Sequence, residues 1–409
     1  YGSVRMNDNH FGGTQPADIG RLHHTEMTRL RREHPEWMLG DQTSEWYAAS
    51  WNMSIPEVRE NRFTHVREVC ERYDWDGVEL DWQRHAFHLP EDEAYRLRYV
   101  ITDVQRAARQ LTQRLAEERG RPFYMAVRIA GSLEMCRRIG YDIPTWIEEG
   151  LADILIPAGN AGTDPDAEVA ELVEMCQGTD VVVYPGFDGG LPGVPSGPED
   201  AKTRDFMSVR GMSSKHYRAG ARGMYLFNWH AGRDTRREPM TQVGSVETLR
   251  KTDKIYAATN RYILNEGDWR GAYRRDRILG EVPVPLKSTM TQDGPTIHLV
   301  TADDFELDPP TAVQLRLRLS EWVRGDELKI LFNGKEMTDA DIAYCVAVDL
   351  HQLGASAVGS FGPDVWVRFD LDAKDIPAGE HEVKVVLIKR HPQVASDLVL
   401  TDVELVVTY

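Results

Sequence analysis

Six short apolar runs, separated by stretches with helical spacing, constrain this chain more than any other feature. They are "YGSVRMN", "GVELDW", "YMAVRIA", "ADILIPA", "VVVYPGF" and "GMYLFNW", all within residues 1 to about 265. Each is bounded by polar or Gly-containing sequence, as buried strands are. The helices between them are signalled locally. Ser54-Ile55-Pro56-Glu57 reads as a capping box with Pro in the first turn, opening a helix that carries Val58, Val66, Val69 and Tyr73. Leu97, Val100, Ile101, Val104, Ala108, Leu111 and Leu115 recur at three-to-four spacing and stop at Gly120. "DPDAEVAELVEMCQG" and "SVETLRKTDKIYAA" are predicted as further amphipathic helices. Such alternation predicts a parallel sheet with right-handed crossovers. An open doubly wound sheet and a (β/α)₈ TIM barrel both satisfy it. No G-x-G-x-x-G follows any run, which counts against a nucleotide-binding sheet. The barrel is the expectation, and six runs against eight place two β/α units before Tyr1.

From about residue 280 the pattern changes. "TIHLVTA", "TAVQLRLRLS", "ELKILFNG", "VWVRFDLD", "HEVKVVLIKR" and "DVELVVTY" alternate in period two, with no helix between them. Asn333-Gly334 and "IPAGEH" mark turns. An antiparallel β-sandwich or jelly roll is predicted. The expected division is a catalytic barrel over 1–270 and an accessory or carbohydrate-binding-like sandwich over 285–409. Two domains also suit a chain of 409 residues.

Sixty-five acidic against 48 basic residues give a net charge of −17. That disfavours nucleic acid or an anionic membrane as a partner, but a local Arg cluster can still meet an anionic substrate. The four cysteines are scattered without a C-x-x-C pair, so neither a zinc ribbon nor a disulfide framework is indicated. His85-x-x-His88 resembles a metal pair in spacing alone; no metal and no cofactor are expected. No apolar run approaches the ~20 residues of a membrane span. No signal peptide is visible ahead of the strand-like run at Tyr1. A polysaccharide substrate would favour a secreted or periplasmic location. Nothing in the sequence specifies an oligomeric state.

"YDWDGVELDWQRH", residues 73 to 85, is the most informative stretch for function. An alternating run sends successive side chains to opposite faces. Glu79 and Asp81 therefore share one face, opposite Val78, Leu80 and Trp82. In a barrel, catalytic groups sit at the C-terminal strand ends. Polar residues gather there: Arg5, Asn7, Asp8 and His10 at the end of the first run; Arg84 after the second; Arg128 in the third; Asn160 after the fourth. Tyr184 and Asp188 stand at the end of the fifth, and Asn228 and His230 at the end of the sixth. Glycosidic cleavage uses paired carboxylates, while aromatic, Arg, Asn and His side chains suit sugar faces and hydroxyls. Asp81, nearest its strand end, is the expected principal catalytic carboxylate, with Glu79 or Asp188 as acid/base. Arg5, Asn7, Asp8, His10, Trp82, Arg84, Arg128, Tyr184, Asn228 and His230 are expected to bind substrate. A buried Arg128–Glu79 ion pair is the structural alternative for those two residues.

"SVRMNDNH", "SIPEVRE", "ERYDWDGVELDWQRH", "AVRIAGSLE", "GLADILIPA" and "GMYLFNW" resemble the family-10-like glycoside hydrolase barrel proteins over residues 1 to about 265. The resemblance implies a (β/α)₈ barrel, a carbohydrate substrate, and two strands before Tyr1, which makes the Glu79–Asp81 strand the fourth. Two other families help by analogy. The chitinase family carries D-G-x-D-x-D-x-E at this strand, and its last position, the proton donor, is Gln83 here. That counts against a chitinase-type mechanism. The α-amylase family carries D-G-x-R-x-D, whose nucleophile falls on Asp81, with Glu79 in place of the Arg. A glycoside hydrolase is therefore expected, acting on a poly- or oligosaccharide. Arg5, Arg84 and Arg128 favour an acidic or sulfated one. The alternatives are a non-catalytic carbohydrate-binding barrel and a polysaccharide lyase with a His or Tyr base.

Overall fold

Five parallel strands lie side by side in chain order: β1 (Gly2–Arg5), β2 (Gly77–Asp81), β3 (Tyr124–Ala130), β4 (Ile154–Ala158) and β5 (Val182–Val183). This computed structural model describes residues 1–8, 28–42, 47–159, 163, 167–188, 201–227, 229, 237–258, 281–287, 293–344 and 365–409. A doubly wound sheet reverses its strand order at a switch point. This sheet does not: its order is that of a singly wound sheet. The outward residues Val4, Leu80 and Val127 are buried in the core shared with the helices. The longest helix, Arg98–Arg119, buries Val100, Ile101, Val104, Ala108, Leu111 and Leu115 and ends at Gly120 with φ 63°. Its stripe is the predicted one. The Pro56–Arg72 helix also forms, but its cap differs from expectation. Ile55 is the N-cap without a side-chain bond, and Ser54 Oγ donates to Asn52 Oδ1 at 2.6 Å instead.

The fifth run, "VVVYPGF", is broken. Pro185 has no N–H for a ladder. Beyond it β6 (Gly186–Asp188) leaves β5 and pairs in parallel with β7 (Tyr225–Phe227). The two sheets then curl toward each other. The Tyr225 hydroxyl on β7 reaches Glu79 on β2, and the Phe227 ring reaches Arg128 on β3. Among the described residues no ladder joins β5 to β6 or β7 to β1, so their hydrogen bonding shows two parallel sheets and no closed barrel.

The remaining strands form two antiparallel sheets, β10-β16-β12-β13 and β14-β15-β11-β17-β8, with β9 on β17. Here β8 is Lys254–Ala258, β9 Val284–Leu286, β10 Thr296–Thr301, β11 Ala312–Ser320, β12 Glu327–Phe332, β13 Lys335–Glu336, β14 Asp341–Tyr344, β15 Val365–Leu371, β16 Gly379–Lys389 and β17 Leu398–Thr408. Val313, Leu315, Leu317 and Leu319 of β11 share one core with Val383, Val385 and Leu387 of β16. Asn333 and Gly334, both at positive φ, make the tight turn between β12 and β13. The "SVETLRKTDKIYAA" helix is corrected. Only Val246–Leu249 is helical, and Lys254–Ala258 pairs antiparallel with β17. A strand within the stretch assigned to the barrel thus completes a sheet of the second unit.

The Ala201–Arg218 helix joins the two parts. Met207 packs with Ile255 of β8 and Val406 of β17. Gly211 lets the helix settle on β8: a Cβ there would lie 2.0 Å from the Ile255 carbonyl oxygen. Val209 and Met212 of the same helix pack with Phe187 and Trp229.

Candidate active site

The parallel register sets the inner face in layers. Arg5, Asp81 and Arg128 are aligned across β1, β2 and β3, and Ser3, Glu79 and Ala126 form the layer before them. Asp81 is 1% exposed and Arg128 fully buried. Arg128 Nη1 donates to Asp81 Oδ1 at 3.0 Å and Oδ2 at 3.2 Å, and Arg128 Nη2 donates to the Gly159 carbonyl at 2.7 Å. Asp81 Oδ1 also accepts the backbone N–H groups of Gln83 at 3.0 Å and Arg84 at 2.9 Å. This carboxylate holds an arginine and folds the turn at its own strand end. The register matches Arg128 with Asp81, so the ion pair forms there and not with Glu79.

Glu79 is in a different state. It is 7% exposed, and its two oxygens lie 3.0 and 3.1 Å from the Tyr225 hydroxyl. Burial, and then the charge of Asp81, push its pKa up to about 7. Hydrogen bonds from Tyr225 and Ser3 and the Arg128 charge act the other way. Burial and Glu79 in turn raise the Tyr225 phenol well above its ordinary range, so it stays a donor.

Phe227, two residues along β7 from Tyr225, lies beneath three guanidinium groups. Their central carbons are 4.0 Å (Arg128), 5.6 Å (Arg84) and 5.9 Å (Arg5) from the ring centroid. Arg5 also pairs with Asp8 at 2.8 Å, and both side chains are partly open to solvent. The structure therefore brings together Arg5, Asp8, Glu79, Asp81, Arg84 and Arg128. Tyr225 and Phe227 join them, and the sequence reading did not select either. The signal was present: the two alternate in "GMYLFNW" and so share a face.

Other expected residues lie elsewhere. The Asn7 amide is fully engaged in joining loops. Its Nδ2 donates to the Phe87 carbonyl at 2.8 Å and to His88 Nδ1 at 2.9 Å, and its Oδ1 accepts the Trp51 N–H at 2.8 Å. His88 Nε2 bonds the Trp82 carbonyl at 2.8 Å, and burial pushes its pKa down to about 4. A neutral ring with both nitrogens occupied is a structural element, not half of a metal pair. Trp82 is buried on the helix side, where its Nε1 donates to Gln105 Oε1 at 2.9 Å; it is core and not a sugar platform. Trp51 carries the Arg31 guanidinium on its ring at 4.7 Å. Tyr184 packs its ring against Gly223, on the far side of the break at Pro185 from β6. That break explains the displacement: the strand pairing with β7 begins two residues later. His10, Asn160, Asn228, His230 and the side chain of Asp188 lie outside the described residues. The Asp188 backbone is in register with Phe227.

No protein-family model matches this chain, and no curated protein matches it. Solved structures that resemble it include a family 18 N-acetylglucosaminidase from Paenibacillus barengoltzii, with 14% identity and a TM-score of 0.33 over 45% of this chain and 75% of that one. Chitinase ChiW from Paenibacillus sp. str. FPU-7 is 10% identical with a TM-score of 0.32, over 86% of this chain and 33% of that one. A family 86 β-porphyranase from Bacteroides plebeius is 9% identical with a TM-score of 0.27, over 85% of this chain and 82% of that one. All three are glycoside hydrolases, and they do not single out family 10. At these scores the likeness carries no argument about activity, which rests on the site itself.

Proposed function

We propose that this protein is a glycoside hydrolase acting on a poly- or oligosaccharide with acidic or sulfated groups, and that Glu79 holds the proton that is transferred. The observation that carries the reading is the Glu79 carboxyl, raised to about 7 beside Asp81 on the inner face of the five-stranded parallel sheet and bonded by Tyr225. A general acid must be protonated at working pH, and neighbouring carboxylates in unlike environments divide the roles. Glu79 gives its proton to the glycosidic oxygen as the bond from that oxygen to the anomeric carbon breaks. Burial, and then the charge of Asp81, keeps the proton on Glu79, while Asp81 also holds Arg128. In this reading it is not the attacking group, because its oxygens already accept Arg128 and two backbone N–H groups. Asp188, in register with Phe227, is assigned as the second carboxylate, to activate water or attack the anomeric carbon. Arg5 and Arg84, grouped with Arg128 around Phe227, support an anionic substituent on the sugar.

A second reading, a carbohydrate-binding barrel without turnover, is favoured by one observation: Gln83 stands where the D-G-x-D-x-D-x-E pattern has its acid. A lyase with a Tyr base is disfavoured, because burial and Glu79 hold the proton on Tyr225. The test is a panel of neutral, uronic and sulfated polysaccharides with product analysis, run on the wild type, Glu79→Gln and Asp188→Asn. Hydrolysis lost in both variants, by roughly 10²-fold or more, is the expected result. Binding without products would establish the second reading, and neither binding nor products would overturn both.

A further inference from the structure

The turn after β2 contains a buried amide with no partner among the described residues. Gln83 is fully buried, and neither its Nε2 nor its Oε1 has a hydrogen-bond partner among the described residues. Buried polar groups in native proteins are nearly always paired, and an unpaired one is costly enough to need an explanation. Gln105 shows the usual arrangement in this same fold. It is also fully buried, but its Oε1 accepts the Trp82 N–H and its Nε2 donates to the Leu151 carbonyl at 3.2 Å.

The position of Gln83 matters as much as its state. Asp81 Oδ1 binds the backbone N–H groups of Gln83 and Arg84 and so fixes this turn at the strand end. Trp82, just before it, is turned to the helix side. Arg84, just after it, places its guanidinium over Phe227. Gln83 thus leaves the chain two residues after Asp81 and directly before Arg84, both of the candidate site.

We propose that Gln83 is a substrate-reading residue, whose carboxamide binds a vicinal pair of sugar hydroxyls. The amide offers a donor and an acceptor side by side, and neighbouring hydroxyls can accept from one and donate to the other. The inference rests on the carbohydrate reading above and adds a residue that selects the sugar. Gln83 carries no transferable proton, so selection falls to Gln83 and proton transfer to Glu79.

The test uses the full chain with Gln83→Met, which keeps length and removes both polar atoms, and Gln83→Glu, which keeps shape and removes the donor. Thermal unfolding without ligand comes first. Relief of an unpaired amide is expected to leave the Gln83→Met midpoint unchanged or raise it by about 1–3 °C. Calorimetry then measures binding of neutral, uronic and sulfated oligosaccharides, and of monodeoxy analogues of those that bind. Wild type should favour one parent sugar over its deoxy analogue. Both variants should bind that parent roughly three- to tenfold more weakly and lose the discrimination. A Gln83→Met protein that unfolds several degrees earlier would make the amide structural and overturn the proposal. Unchanged discrimination in both variants would also overturn it, while leaving the carbohydrate reading intact. Wild type that binds none of the sugars would overturn that reading and this inference together.

Discussion

Tyr225 and Glu79 stand 146 positions apart, yet the Tyr225 hydroxyl lies 3.0 and 3.1 Å from the two carboxyl oxygens of Glu79. The bond runs between the two parallel sheets, from β7 to β2, and it stabilises the ionised form of Glu79. Removing it should raise the Glu79 pKa further above 7. In the proposed mechanism, activity falls as pH rises through that value, since the acid loses its proton. Tyr225→Phe is therefore expected to move the alkaline limb of the pH–rate profile up by about 0.5–1 pH unit. An unmoved or lowered limb would remove Glu79 from the acid role.

The same raised value is a statement about stability. Glu79 titrates at about 7 in the folded protein against a reference of 4.5. A group whose folded pKa is raised contributes stability that is fully present below the unfolded value and lost as pH rises through the folded one. Wild type should thus lose up to about 3 kcal/mol between pH 4.5 and 7 through this residue. Glu79→Gln, which cannot ionise, should lack that loss. Urea unfolding of both proteins across this range checks it, and parallel curves would refute it.

Asp81 and Arg128 form a fully desolvated pair, at 1% and 0% side-chain exposure. Removing one partner leaves the other charge buried alone, which typically costs about 3–5 kcal/mol. Asp81→Asn and Arg128→Met should each destabilise by that order. The double variant should fall well short of their sum, because neither charge is then stranded. Additive losses in denaturant unfolding would show that the pair is not coupled.

Gly211 sets how closely the Ala201–Arg218 helix approaches β8. In Gly211→Ala, the new Cβ would meet the Ile255 carbonyl oxygen at 2.0 Å, and backbone cannot yield as a side-chain tip does. The helix or the strand must move. A net loss of about 1–3 kcal/mol is expected, even though Ala favours the helix by about 1 kcal/mol. Because Val209 and Met212 of this helix pack with Phe187, next to Asp188, the proposed function predicts that weaker glycan binding accompanies the loss. A variant as stable as wild type would mean that this contact is loose.

The sequence by itself determined what depends on neighbours along the chain. Period two placed Glu79 and Asp81 on one face and Leu80 on the other, and β2 follows that division. Three-to-four spacing and Gly120 specified the Arg98–Arg119 helix, and the change of period near residue 280 announced the antiparallel sheets. Only the tertiary structure decided which distant groups meet. Register between β2 and β3 joined Arg128 to Asp81 and, among the described residues, left Glu79 without a cation of its own. The break at Pro185 displaced Tyr184, and the curl of the two parallel sheets carried Tyr225 and Phe227 to Glu79 and the arginines. Lys254–Ala258 became a strand because β17 offered an edge to pair with, overriding a weak local helical pattern. Periodicity acts over a few residues and is written in the chain. Register, curvature and strand partnership are set by contacts between segments far apart in it, so they exist only once the chain has folded.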